Sequence, residues 1–508
     1  MRKLLSIFIF IFLLTGLVAC DQDIDPIIEP IDLSLVYPQN DVYYEIFVRS
    51  FADSDADGIG DLNGITEHLD YIEELGATAL WLMPINPSPS YHGYSVTDYY
   101  DIESDYGTLA DFQNLIDAAS LRGIDIIIDL VINHTSDQHP WYISAASSTS
   151  SEYRDYYIWN NGTAYESFVG GMKDLNFENP AVVAEVKNIM NFYLEMGVHG
   201  FRIDAAKHLI ESNNATLDNA LLIFELNQYM KSIDPNSFLV SEVFDYNYQL
   251  TTDYYIGTDS LFNFSAASNI WDKVGYGNNR FLLVSNLKKA YDDFRFIRPD
   301  FVDSPFIDNH DVDRIASMGG FNTYNTLEKI ALAARISLTL PGSPFIYYGD
   351  ELGMKGVRYE GVNIPGYGTV YDEYRRQPFL WGDAAYQTTW LPSDGSNDAV
   401  DTLSVQRTAK NSLFSQYQQM IELRKDNPAL MYGNYFEAYV NNTSNIQGYL
   451  RYFQYEDVEQ AVLVLHNLSQ DPYLVDLEYV SLLYGTLNIP AYGSLIITID
   501  PNRIEEYI

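Results

Sequence analysis

Cysteine is all but missing from this chain. Cys20 stands alone among 508 residues, which excludes a disulfide within one molecule. Basic residues are scarce too. The 29 Lys and Arg face 70 Asp and Glu, a formal net charge of -41, so the phosphate backbone of a nucleic acid would be repelled rather than bound. A neutral ligand would not feel that field as a barrier. The acidity fits a well-solvated surface, with adaptation to salt as the alternative. Beyond the N-terminal residues no apolar run is long enough to span a bilayer, and there are no repeats or low-complexity tracts. What is present, 47% hydrophobic and 19% charged residues, suffices for a large core with one or two accessory domains.

From about Asp41 strand-like apolar runs alternate with segments of helical periodicity, the pattern of a parallel sheet with crossover helices. Eight runs read as strands: 42–51, 79–85, 124–132, 198–203, 238–243, 260–264, 301–307 and 344–348. Eight is the number that closes a (β/α)8 TIM barrel. Helices are expected over 65–75, 109–122, 181–196, 217–233, 281–296 and 326–340, with Gly76, Gly123 and Gly197 placed where helices should stop. Residues 134–179, after the third strand, are rich in Ser, Tyr, Asn and Gly and too long for an ordinary loop. They read as a small inserted domain over the barrel mouth, an unstructured loop being the alternative. The barrel then covers 41–133 and 180–430, ending in a helix over 414–430. Residues 431–508 carry short alternating runs at 448–455, 460–465 and 494–499 that read as a C-terminal antiparallel β-sandwich.

The N-terminus reads as a processing segment. Arg2 and Lys3 precede an apolar run from Leu4 to Leu14, and Leu17-Val-Ala-Cys20 follows. This resembles a bacterial lipoprotein signal, 1–19, ending in a lipobox; an ordinary secretory signal is the alternative. The resemblance implies a lipid on Cys20, a tether over 20–40 containing Pro26, Pro30 and Pro38, and an enzyme anchored to a membrane at the cell surface.

Four acid-bearing stretches lie in fixed order along the barrel region. They are Asp129-Leu-Val-Ile-Asn-His134, Gly200-Phe-Arg-Ile-Asp204 continuing to Lys207-His208, Val240-Ser-Glu242-Val, and Phe306-Ile-Asp-Asn-His-Asp311. Each follows an apolar run, so each puts an acid where a strand meets its loop, and Asp204, Glu242 and Asp311 could converge on one mouth. Paired carboxyl groups facing a glycosidic bond are the equipment of sugar hydrolysis. Part of the 15% aromatic content would then supply ring faces for stacking on sugars, although core packing accounts for most of it.

These stretches, together with Ser90-Tyr-His-Gly-Tyr94, Met172-Lys-Asp-Leu-Asn176 and Gly342-Ser-Pro-Phe-Ile-Tyr-Tyr-Gly-Asp-Glu351, resemble the signature regions of the α-amylase family of retaining glycoside hydrolases. The resemblance implies that Asp204 is the nucleophile, Glu242 the general acid/base and Asp311 the transition-state stabiliser. Arg202 supplies positive charge beside Asp204. His134 and His310 are implied to bond the sugar at the cleavage point, Tyr94 to stack under it, and Lys207 and His208 to hold the leaving side. Asp53-Ser-Asp55-Ala-Asp57-Gly-Ile-Gly-Asp61 places oxygen donors at alternate positions with a glycine turn, as a Ca²⁺ loop needs, or else forms an Asp-rich solvated turn. The family resemblance makes Asp53, Asp55, Asp57, Asp61 and the Ile59 carbonyl its ligands, and suggests a second ion at Asn133 and Asp174.

Within the family, enzymes that trim single glucose units usually carry an acid where this chain has Tyr91, so the cleft is expected to be open at that end. With Lys207-His208, this implies an endo-acting, monomeric enzyme on α-1,4-glucans. Lys173, standing where the family usually has proline, places the 172–176 stretch between the α-amylase and the oligo-1,6-glucosidase or neopullulanase types. An α-glucosidase, a neopullulanase or a glucan transferase is the alternative. A non-catalytic glucan-binding lipoprotein would be expected to have lost one of the three acids, and none is lost.

Overall fold

Each of the eight expected barrel strands forms, and each is shorter than the apolar run that announced it. They are β1 (Tyr43–Ile46), β2 (Ala79–Leu82), β3 (Asp125–Leu130), β4 (Gly200–Ile203), β5 (Phe238–Ser241), β6 (Ser260–Phe262), β7 (Val302–Ser304) and β8 (Phe345–Tyr347). The computed structural model describes residues 33–37, 40–278, 282–364 and 367–508. Cys20, the 1–19 signal and most of the 20–40 tether lie outside the described residues; within the tether, Leu33–Val36 forms one helical turn.

The strands pair in parallel in the order β7-β6-β5-β4-β3-β2-β1-β8. The two ends of that row meet through Ser343 N donating to Asp303 O at 2.7 Å and Phe345 N donating to Pro305 O at 2.9 Å, which closes the (β/α)8 barrel. Beside this seam Gly342 has a φ of +88°, and a Cβ there would stand 2.0 Å from the Asp303 carbonyl, so only glycine fits. Side chains fill the interior. Tyr43 stacks on Phe345 at 4.4 Å and on Phe238 at 5.3 Å between ring centroids, with Trp81 and Phe262 packed alongside.

The apolar runs overshoot because burial continues past the ladder. Strand β1 stops at Ile46, and Val48–Phe51, expected as strand, makes a helical turn with all four residues buried. In it Arg49 pairs with Asp105 at 2.7 Å. The helix expected over 65–75 is two pieces, Leu62–Glu67 and Leu69–Leu75, the first begun by the Asp61 side chain accepting from Gly64 N. The helix expected over 414–430 also divides, into Leu413–Lys425 and Pro428–Met431. Pro428 has no N–H to continue the ladder and disfavours helical geometry at Asn427.

Residues 134–179 are structured. His134–Ser136 pairs with Met172–Asp174, Trp159–Asn160 pairs with Thr163–Ala164, and Pro140–Ser147 is helical. After the barrel, β9 (Glu437–Ala438), β10 (Ile446–Tyr455), β11 (Val458–Asn467), β12 (Ser481–Tyr484) and β13 (Ser494–Ile499) form an antiparallel sheet in the order β9-β10-β11-β13-β12. With the small ladder of Tyr473–Leu474 and Asn488–Ile489, it fits a C-terminal β-sandwich domain. A buried arginine ties it to the barrel. Arg451 donates to the Thr339 carbonyl at 2.6 Å, beside Arg424 of the barrel helix Leu413–Lys425, which donates to the carbonyls of Leu338 and Leu340 at 2.8 and 2.9 Å. Both cations thus sit at the negative end of the helix Thr326–Thr339.

Candidate active site

Asp204 follows the last residue of β4 and Glu242 the last residue of β5, so the two carboxyl groups leave adjacent strands at the same end of the barrel. Alternation along β4 turns Arg202 to the same side as Asp204, and register sets Arg202 opposite Asp129 of β3. The buried guanidinium uses this placement through both of its terminal nitrogens. Its Nη1 donates to Asp129 Oδ1 at 2.7 Å and to Asp204 Oδ1 at 2.6 Å, while Nη2 stands 3.4 Å from Glu242 Oε2. One cation therefore contacts acids from three successive strands.

Glu242 also accepts from Ala205 N at 2.8 Å. Burial raises its pKa above the ordinary glutamate value; Arg202 opposes the shift, and the charges of Asp204 and Asp311 add to it. Asp311 comes from the loop after β7. Its Oδ2 lies 3.1 Å from His310 Nε2 and its Oδ1 3.2 Å from Arg376 Nη2. Burial opposes its ionisation, but the charges of His310 and Arg376 outweigh this and hold Asp311 well below the usual carboxylate range. His310 is fully buried. Burial works against its charge too, yet Asp311 and Glu45 push it up to about 9.

Tyr94 donates to Asp129 Oδ2 at 3.0 Å and so accepts from His310 Nε2 at 2.7 Å. A hydrogen-bonded line thus runs from Glu45 through His310, Tyr94 and Asp129 to Arg202 and Asp204.

Asp204, Glu242 and Asp311 line one cleft of about 460 Å³, together with Tyr94, His134, Lys207 and His208. His134 lines the cleft with its ring held by the protein. Its Nε2 lies 2.9 Å from the Tyr94 carbonyl and its Nδ1 3.2 Å from the Asn133 amide, so both ring nitrogens serve the protein. Both nitrogens of His310 are likewise bonded within the protein, to Glu45 and to Tyr94. Lys207 donates to the Phe244 carbonyl at 2.6 Å, and His208 lies edge-on to Phe168 at 5.5 Å. Lys173 turns away to pair with Glu166, while its neighbour Met172 lines the cleft.

Sequence reasoning missed His92, Phe168, Phe244, Asp372 and Arg376, which line the same cleft. The His92 Nδ1 accepts from Tyr94 N at 3.1 Å, and burial with the nearby Arg376 charge pushes its imidazole down to about 4. At the end of the cleft expected to be open, Tyr91 is buried and donates to Asp372. Arg376 donates to the Tyr91 hydroxyl at 3.0 Å and to Asp372 Oδ2 at 2.9 Å. That end therefore carries a charged, hydrogen-bonding wall. Its only sequence signal was the spacing of Asp372 and Arg376, four residues apart in a stretch without periodicity.

Asp53, Asp55 and Asp57 bring carboxylate oxygens within 4.8 Å of one another, hard donors that suit Ca²⁺. Asp61 is turned elsewhere: it accepts from Ser54 N and Gly64 N, both at 2.7 Å, as the helix cap. Ile59 N donates to Asp57 Oδ1 at 2.7 Å. At the second expected ion position, Asn133 Oδ1 and Asp174 Oδ2 are buried without a hydrogen-bond partner among the described residues, which fits a cation between barrel and inserted domain.

Comparison with known proteins points to one family. The family model described as alpha amylase, catalytic domain, matches residues 45–433. Alpha-amylase 3 of Dictyoglomus thermophilum is 42% identical over 457 residues, 85% of each chain. A 4-alpha-glucanotransferase of Thermotoga maritima is 32% identical over 459 residues, covering 84% of this chain and 95% of its own. The crystal structure of the alpha-amylase from H. orenii superposes with a TM-score of 0.78 at 35% identity, covering 91% of this chain and all of that one.

Proposed function

The chain belongs to the α-amylase family of glycoside hydrolases and transferases, and from that premise we propose that it hydrolyses internal α-1,4-glucosidic bonds of starch, glycogen or maltooligosaccharides with retention of configuration. The observation that carries this reading is the Arg202 guanidinium held between Asp204 and Glu242 at one cleft. A retaining reaction divides its work between two such carboxyl groups on either side of the scissile bond, one a nucleophile and the other a general acid. Glu242, whose pKa burial raises, gives its proton to the leaving oxygen. Asp204 then attacks the anomeric carbon to form a glycosyl ester, and Glu242, now a carboxylate, takes a proton from the water that cleaves it. Asp311 bonds sugar hydroxyls as positive charge develops on the ring. Product analysis on starch, maltotriose, pullulan and cyclodextrin tests the reading. Internal cleavage of starch to mixed oligosaccharides is expected, whereas stepwise release of glucose alone would overturn it.

One observation favours glucan transfer as a second reading. Phe168 and Phe244 present exposed ring faces beside Lys207 and His208, where an acceptor sugar could displace water. The relative named as a 4-alpha-glucanotransferase supports this reading. Products longer than the maltotriose supplied would identify transfer.

We also propose Ca²⁺ at Asp53, Asp55 and Asp57, and a second cation at Asn133 and Asp174. Both would brace the fold. The expected lipid on Cys20 would hold the enzyme at a membrane surface, and Cys20→Ser should then release activity from the membrane fraction; activity already soluble in the wild type would end that reading. Among the described residues no helix is long and apolar enough to cross a membrane.

A further inference from the structure

The catalytic acids leave the C-terminal ends of the strands, and a second polar group sits at the opposite end. Asp41 lies two residues before β1, Asp125 opens β3, and His199 immediately precedes β4. Two carboxylates and an imidazole from separate strands there bring ligand atoms within 4.8 Å of one another. His199 Nδ1 stands 3.6 Å from Asp125 Oδ2, and Asp41 Oδ1 accepts from Thr78 Oγ1 at 2.7 Å.

Among the described residues, His199 Nε2 and the hydroxyl of Tyr43 are buried at this end with no hydrogen-bond partner. The His199 side chain is only 10% exposed and Tyr43 is fully buried. The Tyr43 ring points into the barrel, and its hydroxyl feels the charges of Asp41, Asp125 and Asp259. Asp259 is already matched by Lys231 at 2.9 Å and Arg298 at 3.2 Å, whereas Asp41 and Asp125 pair with no lysine or arginine among the described residues. An orphaned buried hydroxyl beside such a cluster is costly unless an ion or its water satisfies it.

We propose that Asp41, Asp125 and His199 bind one divalent transition cation of the zinc or cobalt type at the N-terminal end of the barrel, with a cation-bound water reaching the Tyr43 hydroxyl. Two carboxylates with one imidazole form a mixed oxygen and nitrogen set that suits such ions, whereas the all-oxygen loop at Asp53 suits Ca²⁺. The Asp125 side chain is 48% exposed and provides the entry path. Because the three strands are adjacent to or near one another only in the closed barrel, the ion would bind the folded chain alone and stabilise it.

The full chain, first saturated with Ca²⁺, is titrated with Zn²⁺ by calorimetry and with Co²⁺ by visible absorption. One equivalent should bind, with a rise in melting temperature. Asp41→Asn and His199→Gln should each weaken Zn²⁺ binding by at least about tenfold and abolish the thermal response. Starch hydrolysis by both variants should be unchanged, since neither residue lies at the cleft. Absence of stoichiometric Zn²⁺ or Co²⁺ binding to the wild type overturns the proposal. So does wild-type affinity in both variants, which would place the ion on the cleft histidines instead.

Discussion

Glu45 Oε1 stands 2.6 Å from His310 Nδ1, both groups fully buried beneath the cleft. Glu45 and Asp311 raise His310 from 6.5 to about 9, so the stabilisation from its charge is complete below about pH 6.5 and is lost as pH rises through about 9. Glu45→Gln removes one of the two anions. Its melting temperature should start lower than that of wild type at pH 6.5 and decline less steeply toward pH 9. Parallel curves for the two proteins would show that the pair does not set the alkaline limit of stability.

Replacing Asp204 by Asn should lower kcat by at least ~10³-fold, because the covalent step loses its nucleophile. Glu242→Gln should be as damaging on starch but much milder on an activated aryl glycoside, whose leaving group needs little protonation. The first-formed product followed by NMR should keep the α configuration. Near-normal starch hydrolysis by either variant would remove these roles.

The barrel and its acids were readable because both leave local signals. An apolar run of five to ten residues marks each strand, and a carboxylate just past it, as at Asp204 and Glu242, marks the strand's active end. Register is not local. That Arg202 would contact Asp129, Asp204 and Glu242 together depends on β3, β4 and β5 lying side by side, which no single stretch records. Asp372 and Arg376 were missed for a related reason. They sit in a long segment after β8 whose burial comes from contacts with Tyr91 and Asp311, far away in sequence. Asp61 carries a role that its place in an Asp-rich run did not announce: standing three residues before Gly64, it caps a helix.

Chelation of Ca²⁺ should lower the melting temperature, and readdition should restore it. A ligand at 100 times its dissociation constant stabilises a folded protein by about 2.7 kcal/mol. Asp55→Ala combined with Asp57→Ala should remove the part of that response due to the loop and leave the part due to Asn133 and Asp174. No loop residue lines the cleft, so activity well below the new midpoint should persist. If the double variant responds to chelation exactly as wild type does, the Asp53 to Asp57 group is a solvated turn and the ion sits elsewhere.

The balance between water and sugar as acceptor should depend on Phe168. Its ring is exposed and packs against both His134, at 5.6 Å, and His208, at 5.5 Å, so it borders the leaving side rather than the reacting acids. Phe168→Ala would remove one apolar face worth about 1 kcal/mol to a stacked sugar, roughly fivefold in KM for a short oligosaccharide. The kcat for starch should change little, because Asp204, Glu242 and Asp311 keep their partners. An acceptor held only by ring faces and Lys207 would lose more than the donor, which also has the Asp372 and Arg376 wall. The ratio of transfer to hydrolysis products from maltotriose should therefore fall. An unchanged ratio together with an unchanged KM would mean that no sugar rests on Phe168, and would leave hydrolysis as the reading of this side of the cleft.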